Sequence, residues 1–430
     1  MSMKVTSRMI VAHKDYEEGR LQWYPNPTGL VRREYRSETH ESDFANGVWV
    51  RESLDNGRTW GEWVDDYKNV FAKLGEKDEV MYCDNEPTVY NPHNKTFVSC
   101  AMERIFIDGH QEAYRLEWGV GVNSSKDHCY LLVRKDGEIE VTRQLVKFEA
   151  GDEYDPNNIR NFRYLDHNQA YFGKAKIAAN GDVLFPIGAN IAACCRILGL
   201  NVKDVFPSCP QLMAGMILVR AIWDEKAQKY KMTFSKPVVI TDLESSRAVC
   251  EPTVAELKSG RIIVVIRGSN VQFNNWNTRI DPKMPGFKWY TYSDDGGKTF
   301  SPIMPWHFDT REVVYSSATI SELIRPEKSN NLYWIGNITD PAMTDGNYPR
   351  WPLYICEVDE RLGILKKNTL TLIDTKREGE FEKLQLSNFS ILEDRETGNL
   401  EVRLAKVGQY DFDGKSIYHC ESWEYIIELE

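Results

Sequence analysis

The chain has 430 residues, 42% of them hydrophobic, enough for a sizeable core. Its 53 lysines and arginines face 64 aspartates and glutamates, a formal net charge of −11. Nucleic-acid binding needs a basic footprint, so this balance excludes nucleic acid as an expected partner, while a local arginine cluster can still serve an anionic small substrate.

Aromatic residues make up 12%, including 12 Trp and 21 Tyr. That suits pleated sheets, where rings pack well, and sugar binding, where rings stack on apolar sugar faces. The nine cysteines fit no zinc spacing and mostly sit in apolar runs, so buried free thiols and no metal site are expected. The start, Met1-Ser2-Met3-Lys4-Val5, has no apolar leader core, and no run reaches the roughly 18 apolar residues of a membrane helix. The expectation is a soluble, cytoplasmic chain with no membrane partner and no cofactor; a trimmed leader would leave the same sequence.

In chain order, Val5–His13 reads as a strand. Gly29–Arg36 and the turn Ser53-x-Asp55-x-Gly57-x-Thr59-Trp60 form a first unit. Short strand-like runs then recur at Lys95–Met102, Cys129–Lys135, Asp182–Ile187, Met213–Trp223 and Arg261–Arg267. They continue at Phe287–Tyr292, Asn331–Ile338, Trp351–Val358 and Asn399–Val407, with turn signals such as Asn180-Gly181 and Ser259-Gly260 between them. The stretch Gly188–Pro210, holding Cys194, Cys195 and Cys209, reads as an inserted loop. A second turn, Ser293-x-Asp295-x-Gly297-x-Thr299-Phe300, repeats the pattern of the first.

A longer period organises these runs. Five segments share one form, a polar start followed by two apolar strands, and begin near Asn85-Glu86, His167-Asn168-Gln169-Ala170-Tyr171, Glu251-Pro252, Tyr315-Ser316-Ser317 and Ser387-Asn388-Phe389. The five starts are spaced roughly 65–85 residues apart, as blades with long loops would be, and with the first unit they make six repeats. The last repeat is one strand short, and Val5–His13 would complete it. The expected fold is an all-β, six-bladed β-propeller in one domain, or seven-bladed if two repeats have been merged.

The two Ser-x-Asp-x-Gly-x-Thr turns are full Asp-boxes, and with them the sequence resembles the sialidase superfamily of propellers that act on glycans. The phrase Glu251-Pro252-Thr253-Val254 through Arg267 is similar to the sialidase segment in which a Glu opens one strand and a substrate-binding Arg closes the next. The resemblance implies that Glu251 and Arg267 line a pocket, with Arg267 gripping a sugar carboxylate. It implies two further arginines, for which Arg33 and Arg311 stand as candidates. It also implies a Tyr opening the last blade. Ser387-Asn388-Phe389 stands there instead, and Tyr315, one repeat earlier, is the candidate nucleophile or stabiliser.

Polar groups at blade openings converge and are costly to bury unless paired or used. Asp84 and Glu86 are therefore candidates for general acid–base work beside Glu251. The expected function is hydrolysis of an anionic sugar. Related propellers that are polysaccharide lyases imply a second reading, in which His167 and Tyr171 move protons and Arg267 neutralises a uronate. A glycan-binding propeller without catalysis is the third. Asp340 through Asp345-Gly346-Asn347 is a polar loop that would suit calcium only weakly.

Overall fold

The structure is a computed structural model. It describes the chain apart from residues 1–2, 13–16, 24–25, 39–46, 67–69, 85, 110–124, 150–166, 208–213, 247, 269–284, 345, 411–418 and 430. Six antiparallel sheets of four to six strands make a six-bladed β-propeller. The chain divides into two compact units, Met1–Lys68 with Pro285–Phe287 and Trp306–Glu430, and Asn69–Met284 with Lys288–Pro305.

The second unit holds three blades, whose middle strands include Thr96–Phe106, Ala214–Asp224 and Ile262–Gly268. These strands are buried over nearly continuous runs rather than alternately, because both faces of a middle strand are covered. Ile262–Ile266 is correspondingly an unbroken run of Ile and Val. Val98, Leu131, Phe185, Ile187, Val219 and Ala221 meet in one core cluster, each at most about 1% exposed. Burial of this kind contributes about 25 cal/mol per Å² of apolar surface removed from water.

The stretch expected to be a loop from Gly188 is partly regular. The strand Val183–Asn190 runs through Gly188, and a helix, α1, follows at Ile191–Leu198. Asn190 caps α1 by accepting the Ala192 N–H, and Gly199 ends it in the left-handed conformation. A short second helix spans Val202–Val205. Cys209 and Asp345 lie outside the described residues. The eight described cysteines are free thiols, six of them buried, as the apolar context implied. Among the described residues, no group of three or more His, Cys, Asp or Glu could hold a metal ion, and no helix is long and apolar enough to cross a membrane.

The first unit holds the other three blades. Its first and last strands meet: Lys4–Ala12 pairs antiparallel with Glu421–Glu428, so the N-terminal strand does complete the last blade. A buried ionic network joins that blade to the first. Arg403 donates from Nη1 to Glu34 Oε1 at 2.7 Å and from Nη2 to Glu401 Oε1 at 3.0 Å and Glu424 Oε1 at 2.7 Å. Arg32 donates to Glu401 Oε2 at 2.7 Å and to Asp394 Oδ2 at 2.6 Å, and Arg8 holds Glu424 from outside.

Both Ser-x-Asp-x-Gly-x-Thr turns close in one way. Asp55 accepts the Ser53 hydroxyl at 2.8 Å, the Thr59 N–H at 2.8 Å and the Thr59 hydroxyl at 2.7 Å. Asp295 accepts the Ser293 hydroxyl at 2.7 Å, the Thr299 N–H at 3.0 Å and the Thr299 hydroxyl at 2.6 Å. Gly57 and Gly297 hold φ of 82° and 85°, which other residues adopt only with strain. Bonds from Thr59 pull the Asp55 carboxyl down to about 2, and bonds from Thr299 pull Asp295 down likewise. A depressed carboxyl stabilises the fold above its ordinary value of 3.8 and loses that contribution as pH falls through the folded value. Asp55→Asn is thus expected to lower Tm at pH 7, with the gap to the parent narrowing between about pH 4 and 2; calorimetry across that range checks it.

Candidate functional site

The second unit brings Glu251, Arg267 and Tyr171 together. Glu251 opens the strand Cys250–Glu256, which pairs with Ile262–Gly268. Pro252 has no N–H for the ladder, and the register breaks there: Cys250 faces Arg267, and pairing resumes only at Thr253 opposite Val265. Glu251 sits in this bulge at φ +47°, a left-handed conformation that costs a non-glycine residue on the order of 1 kcal/mol. The bulge places the Glu251 carboxylate against Arg267 Nη1, to which it is hydrogen-bonded.

Arg267 ends a buried apolar run, and its side chain is 13% exposed. Burial works against its charge, but Glu251 outweighs burial and holds the guanidinium above its ordinary value. It is a permanent cation. Among the described residues, Glu251 is its only recorded hydrogen-bond partner, and the buried Nε has none.

Tyr171 lies on the strand Ala170–Phe172 and pairs across with Gly188. Its hydroxyl oxygen accepts the Glu251 N–H at 3.0 Å. Burial, then the neighbouring Cys250 and Glu251, push the phenol well above its ordinary value, so it stays protonated. His167 stands four residues earlier and is 30% exposed, with Nδ1 3.6 Å from Glu149 Oε2. Glu149 is gripped by Arg196 from the end of α1 through two bonds of 2.7 and 3.1 Å, and its N–H donates to Asn168 Oδ1 at 2.8 Å.

The other sequence candidates fall as follows. Asp84 ends the strand Glu79–Asp84, with its side chain outside the described residues. Glu86 is half-buried in the same unit. In the first unit, Tyr315 bridges to Phe287, their rings 5.5 Å apart. Arg33 Nε donates to Glu52 Oε2 at 3.2 Å, and Arg311 is an exposed turn residue at φ +71°.

Sequence reasoning missed Glu149 and Arg196. Glu149 lies in a polar loop with no motif, and Arg196 matters only because the insertion folds as a helix. The Asn190 and Gly199 caps were the available signal for that helix.

No family model and no curated protein matches the sequence. Several solved structures share its fold. A protein of unknown function from Dyadobacter fermentans superposes with a TM-score of 0.54 at 13% identity, covering 99% of both chains. The NanB sialidase of Streptococcus pneumoniae superposes at 0.54 and 12% identity, over 98% of this chain and 70% of that one. The intramolecular trans-sialidase of Ruminococcus gnavus does so at 0.52 and 10% identity, over 98% of each. At such identities the likeness speaks for architecture alone: this chain has the sialidase-like six-bladed β-propeller fold.

Proposed function

We propose that the chain is a glycoside hydrolase acting at the Glu251–Arg267 pair on a sugar that carries a carboxylate or other anionic group. One observation carries the reading. Arg267 is mostly buried and charged, yet spends only Nη1 on Glu251 among the described residues. Leaving buried donors unused is costly, and an incoming carboxylate is the group whose planar geometry matches the guanidinium fork. Glu251 supplies the carboxylate that glycoside hydrolysis requires on an oxocarbenium-like transition state. Asp84 or Glu86, in the same unit, would complete the acid–base set. The fold's likeness to sialidases and the two Asp-boxes support a glycan as substrate.

The test is turnover of fluorogenic umbelliferyl glycosides of N-acetylneuraminate, glucuronate and galacturonate, with neutral galactose and arabinose counterparts. At least one anionic glycoside should be hydrolysed. Arg267→Ala should lower kcat/KM on the order of 10²–10³-fold, mostly through KM, since a buried charge partner is lost. Preference for a neutral sugar, or an unaffected Arg267→Ala variant, would sink the assignment.

His167 backed by Glu149 favours a second reading, elimination next to a uronate, because it supplies a proton-transfer group in the same unit. An unsaturated, ultraviolet-absorbing product from a polyuronate would replace hydrolysis with that chemistry. Binding to a glycan array without any turnover would replace both.

A further inference from the structure

We propose that Tyr171 is the positioning residue for Glu251: its phenol oxygen takes the Glu251 N–H and so holds that residue in the left-handed backbone that brings its carboxylate to Arg267. The inference rests on the reading of Glu251 and Arg267 as the working pair.

Three observations converge on it. Glu251, at φ +47°, occupies a conformation that its own side chain disfavours, so something outside the residue must hold it. The 3.0 Å bond from its N–H to the Tyr171 oxygen is a side-chain contact made from the preceding blade, 80 residues away in sequence. Tyr171 is itself seated by a glycine. A Cβ at Gly188, its cross-strand partner, would stand 2.0 Å from the ring's Cζ, so the ring reaches the Glu251 amide only because position 188 has no side chain.

Two residues further along the same blade, a Cβ at Gly173 would stand 2.7 Å from the Pro252 carbonyl oxygen. The two blades therefore approach closely beside the bond. Because the phenol stays protonated, the amide meets a neutral hydroxyl oxygen. Phenylalanine would fill the same space without that acceptor.

The experiment uses the full chain, with Tyr171→Phe and Gly188→Ala variants. The first readout is hydrogen exchange of the Glu251 amide at single-residue resolution. Tyr171→Phe should speed it about tenfold relative to the parent, as expected when one such bond is lost, with the core strands' exchange unchanged. The second readout is kinetic, on the anionic glycoside that the parent hydrolyses. Tyr171→Phe should lower kcat on the order of 10- to 100-fold with KM little changed, because the carboxylate is misplaced while Arg267 still binds. Gly188→Ala should reproduce both effects by displacing the ring.

Unchanged Glu251 exchange in Tyr171→Phe overturns the proposal whether or not any glycoside is cleaved. Faster exchange in a protein that cleaves none upholds the positioning bond and overturns the hydrolase reading alone. Faster exchange with unchanged kcat shows a merely structural bond and overturns the positioning role.

Discussion

Replacing Glu251 by glutamine is expected to lower kcat on the preferred glycoside by about 10³–10⁴-fold, the scale of a lost acid–base or nucleophilic carboxylate. The substitution is nearly isosteric. It leaves the backbone N–H that Tyr171 accepts, and it leaves Pro252 and the bulge. What it removes is charge, both at the reacting centre and beside Arg267. The guanidinium then stays largely buried without its counter-charge, so Tm should fall as well. That stability loss should stay below the about 3–5 kcal/mol of a fully buried broken pair, because the Glu251 side chain is 34% exposed and water takes up part of the loss. Kinetics and calorimetry on one preparation separate the two effects. A kcat within tenfold of the parent would remove Glu251 from the chemistry.

Arg403→Met is the largest expected loss of stability, about 3–5 kcal/mol, with Tm lowered by several degrees. Arg403 is 8% exposed and serves three carboxylates, Glu34 on the first blade and Glu401 and Glu424 on the last. Methionine fills much of the volume but strands those charges away from water. Burial pushes the Glu401 carboxyl above its ordinary value against the pull of Arg403 and Arg32. Burial acts on Glu424 in the same direction, but bonds from Arg8 and attraction to Arg403 outweigh it and hold that carboxyl low.

The signs then differ. The raised Glu401 stabilises the fold fully below its unfolded value and ceases to as pH rises through its folded value. The lowered Glu424 stabilises above its unfolded value and ceases to as pH falls through its folded one. Glu424→Gln should therefore cost more stability at pH 7 than Glu401→Gln, which mimics the protonated form. Denaturant unfolding of the three variants at pH 7 and pH 4 checks this. Equal losses from Glu401→Gln and Glu424→Gln at pH 7 would contradict it.

What could be read from sequence was local. The Ser-x-Asp-x-Gly-x-Thr turns announced themselves because Ser, Asp, Gly and Thr each fill a fixed place in one loop, and the structure closes that loop through those atoms. The completing role of the N-terminal strand was legible from counting, since the last repeat lacked a strand. Glu251 and Arg267 could be paired because one hairpin joins them.

The contacts made between elements were not legible. Tyr171 was singled out, but its bond to the Glu251 amide depends on how two blades approach at Gly173 and on the room that Gly188 leaves for the ring. Arg196 reaches Glu149 only because Asn190 and Gly199 cap a helix within a stretch whose cysteines and apolar residues looked like loop. The first unit's ionic network joins residues up to 416 apart in sequence, and no spacing rule spans that distance.

The pairing of Lys4–Ala12 with Glu421–Glu428 has a consequence for how the molecule is made. Lys4–Ala12 is synthesised long before its partner and carries Met9, Ile10 and Val11 with its backbone unpaired until Glu421–Glu428 emerges. Closing so long a chain costs only about 2 kcal/mol more than closing one a tenth its length, since the entropy grows with the logarithm of loop size. The burden is one of time rather than energy. An open β edge persists while the intervening blades are made, and aggregation through that edge competes with closure of this blade.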